Sequence, residues 1–354
     1  MSERVRHLTE ALREALQAHF GDSATVEPLP PGPGRRNDLF RAKVRGRSCF
    51  IKVRNRPGED AVREAWALSH LSPELGPTPL AIPAIARAPG SSRSPTSTRS
   101  PTSTRSRRAI RSDPEEAALL ERCLVMSQVP GRRVTHALAG RLLPAAARTI
   151  AALHAVRPRR GPPLACPSDP PSLYALAIEL FAEVVRRDVL ARPYQPAVAH
   201  ALDAARAHVQ RLDPALWRRP VRALCHGDLA WHNMHHHRGE VRLVDFELAG
   251  LGDPVTDLAL FVSRNPLGPR QEEQLLGAYH PHREDRGWKE RYSGIVPLVA
   301  LVSALNSLRA LDEEARRGEG EGEAGLPEGA LLRRARRAAK ELGRALERLA
   351  DPER

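Results

Sequence analysis

The stretch from Leu224 to Leu260 constrains this chain most, because it brings carboxylates and an amide to the ends of short apolar segments. Its sequence is LCHGDLAWHNMHHHRGEVRLVDFELAGLGDPVTDLAL. An apolar strand end runs into a polar turn that closes at Asp228, and Asn233 follows five positions later. A predicted hairpin then returns through alternating apolar and polar residues and ends at Asp245.

These side chains suit a divalent cation and a proton in transit. Mg²⁺ prefers hard oxygen ligands and takes few of them from the protein, while phosphates and water complete its octahedron. Asn233 and Asp245 are therefore the predicted metal ligands. This assignment leaves Asp228 to face a hydroxyl group. The alternative is a chance β-hairpin that carries surface acids.

Three motifs at fixed spacing carry a resemblance to a known family. HGDL-x3-N is followed by VDFE and then by GDPxxDLA, which runs from Gly252 to Ala259. This series resembles the aminoglycoside phosphotransferase and choline kinase superfamily, small-molecule kinases on a protein-kinase-like fold. The resemblance implies an α+β, bilobal protein-kinase-like fold, with a small antiparallel-sheet lobe and a larger, mostly helical lobe. We expect residues 1–127 to form the nucleotide-binding lobe and residues 128–354 the catalytic and acceptor-binding lobe.

Lys52 stands out because this chain otherwise uses arginine, with 51 Arg and four Lys. It lies in the β-rich run SCFIKVR, and a lysine supplies a compact charge on a flexible stem. Glu64 follows on a predicted amphipathic helix, whereas Glu59 is expected to precede that helix. The resemblance implies that Lys52 positions the phosphates of ATP and that Glu64 holds the lysine. The alternative for both is a side chain that points to solvent.

The remaining predicted nucleotide contacts follow from the order of elements in the family. A glycine-bearing turn that contains Gly34 precedes Asn37, and glycines let backbone N–H groups approach phosphates. Residues 123–129 are expected to form the last strand of the small lobe and to lead into the hinge. There the resemblance implies that the backbone from Met126 to Val129 pairs with adenine. We also expect a short strand within residues 75–85.

Several side chains near the central stretch are expected to support rather than react. The resemblance implies that His226 is a scaffold for its loop and that Asp257 braces that loop. Glu247 replaces the glycine of a DFG motif and is either a metal ligand through water or structural. His154 is interpreted as a packing or capping residue. A zinc site at His232 and His235–His237 is disfavoured, because adjacent residues of a strand point to opposite faces.

Charge raises the hypothesis of nucleic-acid binding, since the 354 residues carry a net charge of +13 at pH 7. Residues 87–112 alone hold seven arginines and no acid. The arginine bias is typical of a GC-rich genome rather than of a binding face, so we disfavour nucleic acid as the main partner. Because residues 87–116 are dominated by Ser, Thr, Arg and Pro, we expect a disordered insertion between the fourth and fifth strands of the small lobe.

Apolar spacing predicts the other elements: a helix at 3–20, three strands within 24–53, two helices within 172–217 and two late helices at about 291–316 and 328–349.

A cytoplasmic location is the expectation from three features. The N-terminal residues lack the uninterrupted apolar core of a signal peptide. The longest apolar stretch, Gly294 to Leu305, is interpreted as a buried helix that is too short to span a bilayer. The four cysteines show no CxxC spacing, which favours buried thiols in a reducing compartment over a disulfide framework or a zinc site.

The predicted function is ATP-dependent transfer of the γ-phosphoryl group to an alcohol of a small molecule, with Mg²⁺ as cofactor and Asp228 as the catalytic group. The sequence DFELAG with a following DP favours a choline-, ethanolamine- or thiamine-type acceptor. Aminoglycoside, macrolide, homoserine and sugar acceptors remain alternatives, as does an ATP-binding module without activity. A Ser/Thr protein kinase is disfavoured, because the chain lacks HRD, DFG and APE motifs. The oligomeric state is not predicted.

Overall fold

A computed structural model gives the fold as two compact units, Met1–Val129 and Pro130–Arg354. The predicted boundary, after residue 127, lies slightly before this division. The structure describes the following residues: 3–20, 24–30, 37–44, 46–54, 59–78, 123–187, 192–265, 267–279, 285, 287–317 and 328–351. Gly34, the insertion 87–116 and most of the strand expected within 75–85 lie outside these residues.

Unit 1 is an antiparallel sheet with two described helices. Its elements are α1 (Glu3–Phe20), β1 (Thr25–Pro28), β2 (Asn37–Val44), β3 (Arg47–Arg54), α2 (Glu59–Leu68) and β4 (Cys123–Ser127). The strands lie in the order β1-β2-β3-β4, and each neighbouring pair is antiparallel. Together with the mostly helical second unit, this sheet confirms the predicted α+β class.

Alternation of apolar residues explains how the sheet buries one face. Phe40, Ala42 and Val44 are buried along β2, while the residues between them are exposed. Helix α1 covers this face, and its Leu12 and Leu16 belong to the same core cluster. Helical spacing of apolar residues in the sequence was therefore sufficient to predict α1.

Two expectations about unit 1 need correction or stay open. Helix α2 begins at Glu59, so the prediction that Glu59 precedes the helix is wrong. The strand Cys123–Ser127 is the fourth described strand rather than the fifth, and its Ser127 N–H donates to the carbonyl of Thr78 (2.9 Å).

Unit 2 consists of helices with three small antiparallel ladders between them. Its helices are α3 (His136–His154), α4 (Pro170–Arg187), α5 (Gln195–Arg211), α6 (Pro254–Arg264), α7 (Pro269–Ala278), α8 (Trp288–Arg317) and α9 (Glu328–Ala350). Its strands are β5 (Arg132–Arg133), β6 (Ala223–Cys225), β7 (Met234–His237), β8 (Glu240–Leu243) and β9 (Gly250–Gly252). Short 3₁₀ turns lie at Arg192–Tyr194, Pro214–Trp217 and Trp231–Asn233.

Helix α8 forms the centre of unit 2 and packs against α4, α6 and α9. It runs from Trp288 to Arg317 through Pro297, so the helix predicted at about 291–316 is confirmed, and the apolar stretch Gly294 to Leu305 lies within it. The segment Trp288–Leu311 has the length and mean hydropathy (1.7) of a membrane-spanning helix, but 78% of it is buried within the protein. Burial of this extent is typical of a core helix, which needs apolar residues on all sides.

The small ladders place the loops of the central stretch. β6 pairs with β9, and β7 pairs with β8 and with β5. The segment from 226 to 233 therefore connects two ladders, and the segment from 244 to 249 returns between the same two. Both segments are consequently fixed at both ends.

Candidate active site

Unit 1 contains a buried group of two cations around one carboxylate. Lys52 lies on β3 and Glu64 on α2, and their Nζ and Oε2 atoms are 3.1 Å apart. Arg54, two positions along the strand from Lys52, donates from Nη2 to the same oxygen at 2.8 Å. All three side chains are buried. The predicted Lys52–Glu64 pair is thus present, and Arg54 is a partner that the sequence analysis missed.

The other predicted nucleotide residues lie at strand ends of unit 1. Asn37 begins β2 opposite Arg54, and Met126 in β4 is partly exposed opposite Phe50. Val129 is buried and is the last residue of the unit. Just before it, the Gln128 N–H donates to the carbonyl of Ser48 (3.3 Å). Roles of these residues toward adenine and phosphates stay predictions.

In unit 2, strand β6 leads directly into the loop that carries Asp228. Gly227 adopts φ of +79°, a conformation that L-residues rarely adopt. A Cβ atom at Gly227 would lie 2.3 Å from the carbonyl oxygen of Leu248, so only glycine fits there. The close approach brings the HGD turn against the segment that follows Asp245.

Asp228 is held through both oxygens of its carboxylate. Asn233 Nδ2 donates to Asp228 Oδ2 and to the Asp228 carbonyl, each at 2.9 Å. Arg264, the last residue of α6, forms an ion pair with Asp228 Oδ1. The Asp228 side chain keeps 15% of its surface exposed, although its Oδ1 atom is buried.

Asn233 and Asp245 present oxygen atoms suited to a divalent cation. Because the amide nitrogen of Asn233 donates to Asp228, its amide oxygen is the atom that can ligate a metal ion. Asp245 has a left-handed backbone conformation with φ of +71°, which is uncommon outside glycine and asparagine. The backbone N–H of Val244 donates to the carbonyl of Asn233 (3.0 Å), which joins the two segments directly. The donor set therefore fits Mg²⁺ chemistry.

Asp257 braces the loop through its backbone, as the resemblance implied. Its Oδ2 accepts from the His226 N–H at 2.6 Å, and its Oδ1 accepts from the Gly227 N–H at 2.8 Å. His154 Nε2 also lies 3.1 Å from Oδ2, and His154 Nδ1 lies 2.9 Å from the Tyr279 hydroxyl. Burial raises the pKa of Asp257, but the hydrogen bond and charge of His154 outweigh it, and the pKa lies below its ordinary value.

His226 connects the loop to the segment that ends in Asp245. Its Nε2 lies 3.0 Å from the carbonyl oxygen of Val244, and its Nδ1 accepts from the Asp228 N–H at 3.3 Å. The tautomer with hydrogen on Nε2 satisfies both contacts. Burial lowers the pKa of His226, so the ring is neutral near pH 7. The scaffold role expected for His226 agrees with these contacts.

In the described part of the chain, the side chains close enough to share a metal ion are His154, Cys225 and Asp257. The histidines of β7 are not among them. His154 and Asp257 are already explained by their hydrogen bond, and burial raises the pKa of the Cys225 thiol far above neutrality. A thiol must lose its proton to bind a metal, so burial of the Cys225 thiol opposes metal binding by this group.

Sequence analysis missed Arg264 and Tyr279 entirely. Neither belongs to a motif, and each contacts a motif residue that lies far away in the sequence. His154 was identified only as a packing residue, although it links α3 to Asp257. Glu247 is partly buried in the turn after Asp245, and its role stays a prediction.

Solved structures of kinases share this fold. The choline kinase LicA from Streptococcus pneumoniae is 16% identical, with 96% of this chain and 99% of that chain covered and a TM-score of 0.56. A choline/ethanolamine kinase family protein from Mesorhizobium loti is 17% identical, with 97% and 99% covered and a TM-score of 0.54. A thermostable mutant of aminoglycoside phosphotransferase APH(4)-Ia, in ternary complex with ADP and hygromycin B, is 16% identical, with 95% and 98% covered and a TM-score of 0.56. At such identities the likeness shows the fold alone.

Sequence comparison gives a more specific result. A search of curated proteins finds no match. The model of the phosphotransferase enzyme family (APH), in contrast, matches residues 27–291, which include both units' candidate residues and most of the chain. This chain therefore belongs to the APH phosphotransferase enzyme family.

Proposed function

We propose that this protein transfers the γ-phosphoryl group of ATP to an alcohol hydroxyl of a small molecule. Family membership supports a phosphotransferase. The observation that carries the reaction chemistry is Asp228, an accessible carboxylate whose loop is held by Asp257 and whose side chain is oriented by Asn233. An accessible but immobilised carboxylate suits a group that must orient a hydroxyl and accept its proton.

The proposal assigns the phosphates of ATP to Lys52. Glu64 fixes the lysine through a buried ion pair, which prevents the long side chain from adopting other rotamers. Arg54 adds a second positive charge on the same carboxylate. The net charge of this group is positive, which is what a polyphosphate requires.

Asn233 and Asp245 are the proposed ligands of Mg²⁺, through the amide oxygen and the carboxylate. The ion, when bound, would neutralise charge on the phosphates of the nucleotide. Asn233 then has two functions, because its amide nitrogen orients Asp228 while its amide oxygen faces the cation. Substitution of Asn233 by Asp would remove the donor and place a second negative charge beside Asp228.

Asp228 is proposed to orient the acceptor hydroxyl and take its proton. Arg264 already contacts the buried Oδ1, so Oδ2 is the proposed proton acceptor; a carboxylate oxygen can accept from the Asn233 amide and from a hydroxyl at once. Most of the rate acceleration would come from positioning and electrostatic stabilisation rather than from covalent chemistry.

The acceptor class rests on weaker grounds than the reaction. The sequence VDFELAGLGDP favours a choline-, ethanolamine- or thiamine-type acceptor, and two of the structural neighbours are described as choline or choline/ethanolamine kinases. The neighbour in complex with hygromycin B supports antibiotic acceptors as the second candidate. A cytoplasmic location stays a prediction.

The test is ATP-dependent phosphorylation of a panel with Mg²⁺: choline, ethanolamine, thiamine, homoserine, several aminoglycosides and a macrolide. Wild type and Asp228→Asn are compared, with ATP binding measured separately by calorimetry. We expect turnover of one class by wild type, a loss of roughly 10²- to 10⁴-fold in the variant, and ATP binding in both. Absence of ATP binding in folded wild type would contradict the proposal.

A further inference from the structure

The side chain of Arg264 occupies an unusual position for an arginine in a chain that has 51 of them. It lies at the C-terminal end of α6, and its Nη1 forms an ion pair with Oδ1 of Asp228. The Arg264 side chain keeps 31% of its surface exposed and that of Asp228 15%. The pair is therefore partly shielded from solvent, and the Oδ1 atom that Arg264 contacts is itself buried.

Two donors of different kinds hold the two oxygens of Asp228. Asn233 donates to Oδ2 from within the loop itself, whereas Arg264 holds Oδ1 from a separate helix. A carboxylate with one donor can still rotate about its Cβ–Cγ bond, because the terminal torsion of aspartate is soft. Donors on both oxygens restrict that rotation. By holding Oδ1, Arg264 consequently sets the plane of the carboxylate and the direction in which Oδ2 is presented.

The helix end that carries Arg264 is itself fastened to the loop. The next residue, Asn265, is buried, accepts through Oδ1 from the Trp231 N–H (3.0 Å) and donates to the Phe261 carbonyl (2.8 Å). Trp231 also packs edge-on against Phe261, with ring centroids 4.9 Å apart. These contacts fix the end of α6 relative to the loop. The backbone from which the Arg264 side chain extends is therefore held in place.

A second helix, α9, also holds the end of α6. Arg337 of α9 donates from Nη2 to the Arg264 carbonyl at 3.5 Å, and its Nε donates to Glu341 at 2.8 Å. Glu341 in turn accepts from the Ser307 hydroxyl of α8 at 2.6 Å. A series of polar contacts thus runs from α8 in the centre of the unit through α9 to Arg264, which contacts Asp228.

We propose that Arg264 is a positioning residue for Asp228: by holding the buried Oδ1, it fixes the plane of the carboxylate and so the orientation of Oδ2 toward the acceptor hydroxyl. This inference rests on the proposed function, since it assigns Asp228 the task of proton acceptance. Loss of Arg264 leaves Asp228 in the loop but frees its carboxylate to rotate. The effect falls on the catalytic step rather than on nucleotide binding, because the described ion pair of Arg264 is with the carboxylate that takes the proton.

The test compares Arg264→Gln and Arg264→Lys with wild type and with Arg309→Gln. Arg309 is the control, since its side chain is 34% exposed, against 31% for Arg264, and its ion pair with Glu183 joins two helices of the same unit. We expect Arg264→Gln to lower kcat roughly 10- to 100-fold, because small misplacements of a reacting group have effects of this size. The KM for ATP should stay within about twofold. Arg264→Lys should recover part of kcat, and Arg309→Gln should match wild type.

A double-mutant cycle separates positioning from general stability. In an Asp228→Asn background, Arg264→Gln should change kcat by less than about twofold, because the group that it positions is already lost. Equal losses in both backgrounds, or a rise in the KM for ATP with kcat unchanged, would overturn the inference. The cycle is also measured by thermal unfolding, where the changes in Tm for Asp228→Asn and Arg264→Gln should fail to add. Additive changes in Tm would refute the pairing of Arg264 with Asp228, whether or not the wild type is active. Inactivity of the wild type on every acceptor would instead refute the proposed function.

Discussion

Both units hold their candidate functional residues with one buried carboxylate, but the partners of that carboxylate differ. In unit 1, Glu64 Oε2 accepts from two charged side chains, Lys52 and Arg54. In unit 2, Asp257 accepts from the backbone N–H groups of His226 and Gly227, as well as from His154. The first arrangement holds a side chain, and the second holds a stretch of main chain.

The difference separates two ways of preparing a site. A lysine held by its charged tip is fixed in place while the ion pair lasts. Its ammonium group must then serve both the carboxylate and the ligand. A loop held by its backbone leaves the side chain of Asp228 available for chemistry. Removal of either buried carboxylate is expected to be damaging, since a charge or donor left behind in the interior is not resolvated. The consequences for catalysis should differ.

The largest effect is expected for Asp257→Asn. An amide cannot accept from three donors with two anionic oxygens, so His226, Gly227 and His154 lose charge-assisted bonds. We expect unit 2 to lose about 3–5 kcal/mol of stability, the range for breaking a buried pair, together with a fall in kcat. Denaturant unfolding followed by circular dichroism measures the first and steady-state turnover the second. Asp203→Asn, at an exposed surface pair, is the control; unchanged unfolding in Asp257→Asn would remove the basis for the comparison.

Glu64→Gln should come next, with a loss of about 3 kcal/mol in unit 1, because Lys52 and Arg54 stay close together without the carboxylate between them. Its kinetic effect should be a raised KM for ATP with a smaller change in kcat, the opposite of Asp257→Asn. Arg54→Met added to Glu64→Gln should restore part of the stability, since one of the two buried charges is then gone. Failure of the second substitution to restore any stability would show that charge repulsion is not the cause.

A smaller effect is expected for Gly227→Ala, about 1–3 kcal/mol, from a left-handed φ combined with a contact against the Leu248 carbonyl. Gly239→Ala is the matched control: Gly239 has φ of +85°, and nothing lies within 4 Å of an added Cβ. Only the first substitution should also lower turnover, because it displaces the segment that carries Asp228. Equal changes in both variants would mean that φ alone, and not the close approach, is responsible.

The smallest effect concerns pH. Burial lowers the pKa of His208, whose Nε2 lies 2.8 Å from the carbonyl of Gly294. Below about pH 6.5, His208 therefore takes up a proton more readily in the unfolded chain than in the folded protein. The free energy of unfolding consequently falls as the pH decreases toward the pKa of the folded state. The slope is at most about 1.4 kcal/mol per pH unit for one proton. His208→Gln should flatten this part of the curve, measured as unfolding free energy from pH 8 to 5. His200→Gln, exposed on the same helix, should leave the slope as in wild type.

Local patterns predicted much of the fold, because alternation and helical spacing are properties of neighbouring residues. They predicted α1 and the strands that carry Lys52 and Met126. They also predicted α8 at about 291–316, close to its observed bounds, Trp288–Arg317. The ends of a helix depend partly on tertiary contacts, which leave no mark on the local pattern, and Glu59 was placed before α2 rather than at its first residue.

The residues of the candidate site likewise fall into those that local sequence patterns predicted and those that they did not. Asp228, Asn233 and Asp245 lie in one stretch with fixed spacing, so their proximity was predictable from the sequence. Arg264 follows Asp228 by 36 residues and carries no motif, and one arginine among 51 gives no signal. Arg54 could have been found, because residues two apart on a strand share a face.

The bond between the Asn233 carbonyl and the Val244 N–H closes the base of the β7–β8 hairpin. The hairpin extends from that bond to the exposed turn at Arg238 and Gly239. The length of the hairpin does not determine the position of Asp228 or Asp245. Exposed hairpin tips of this kind tolerate insertions well. The turn is therefore a natural attachment point for a fluorescent label or an inserted reporter domain, with which substrate-dependent changes could be followed without altering either carboxylate.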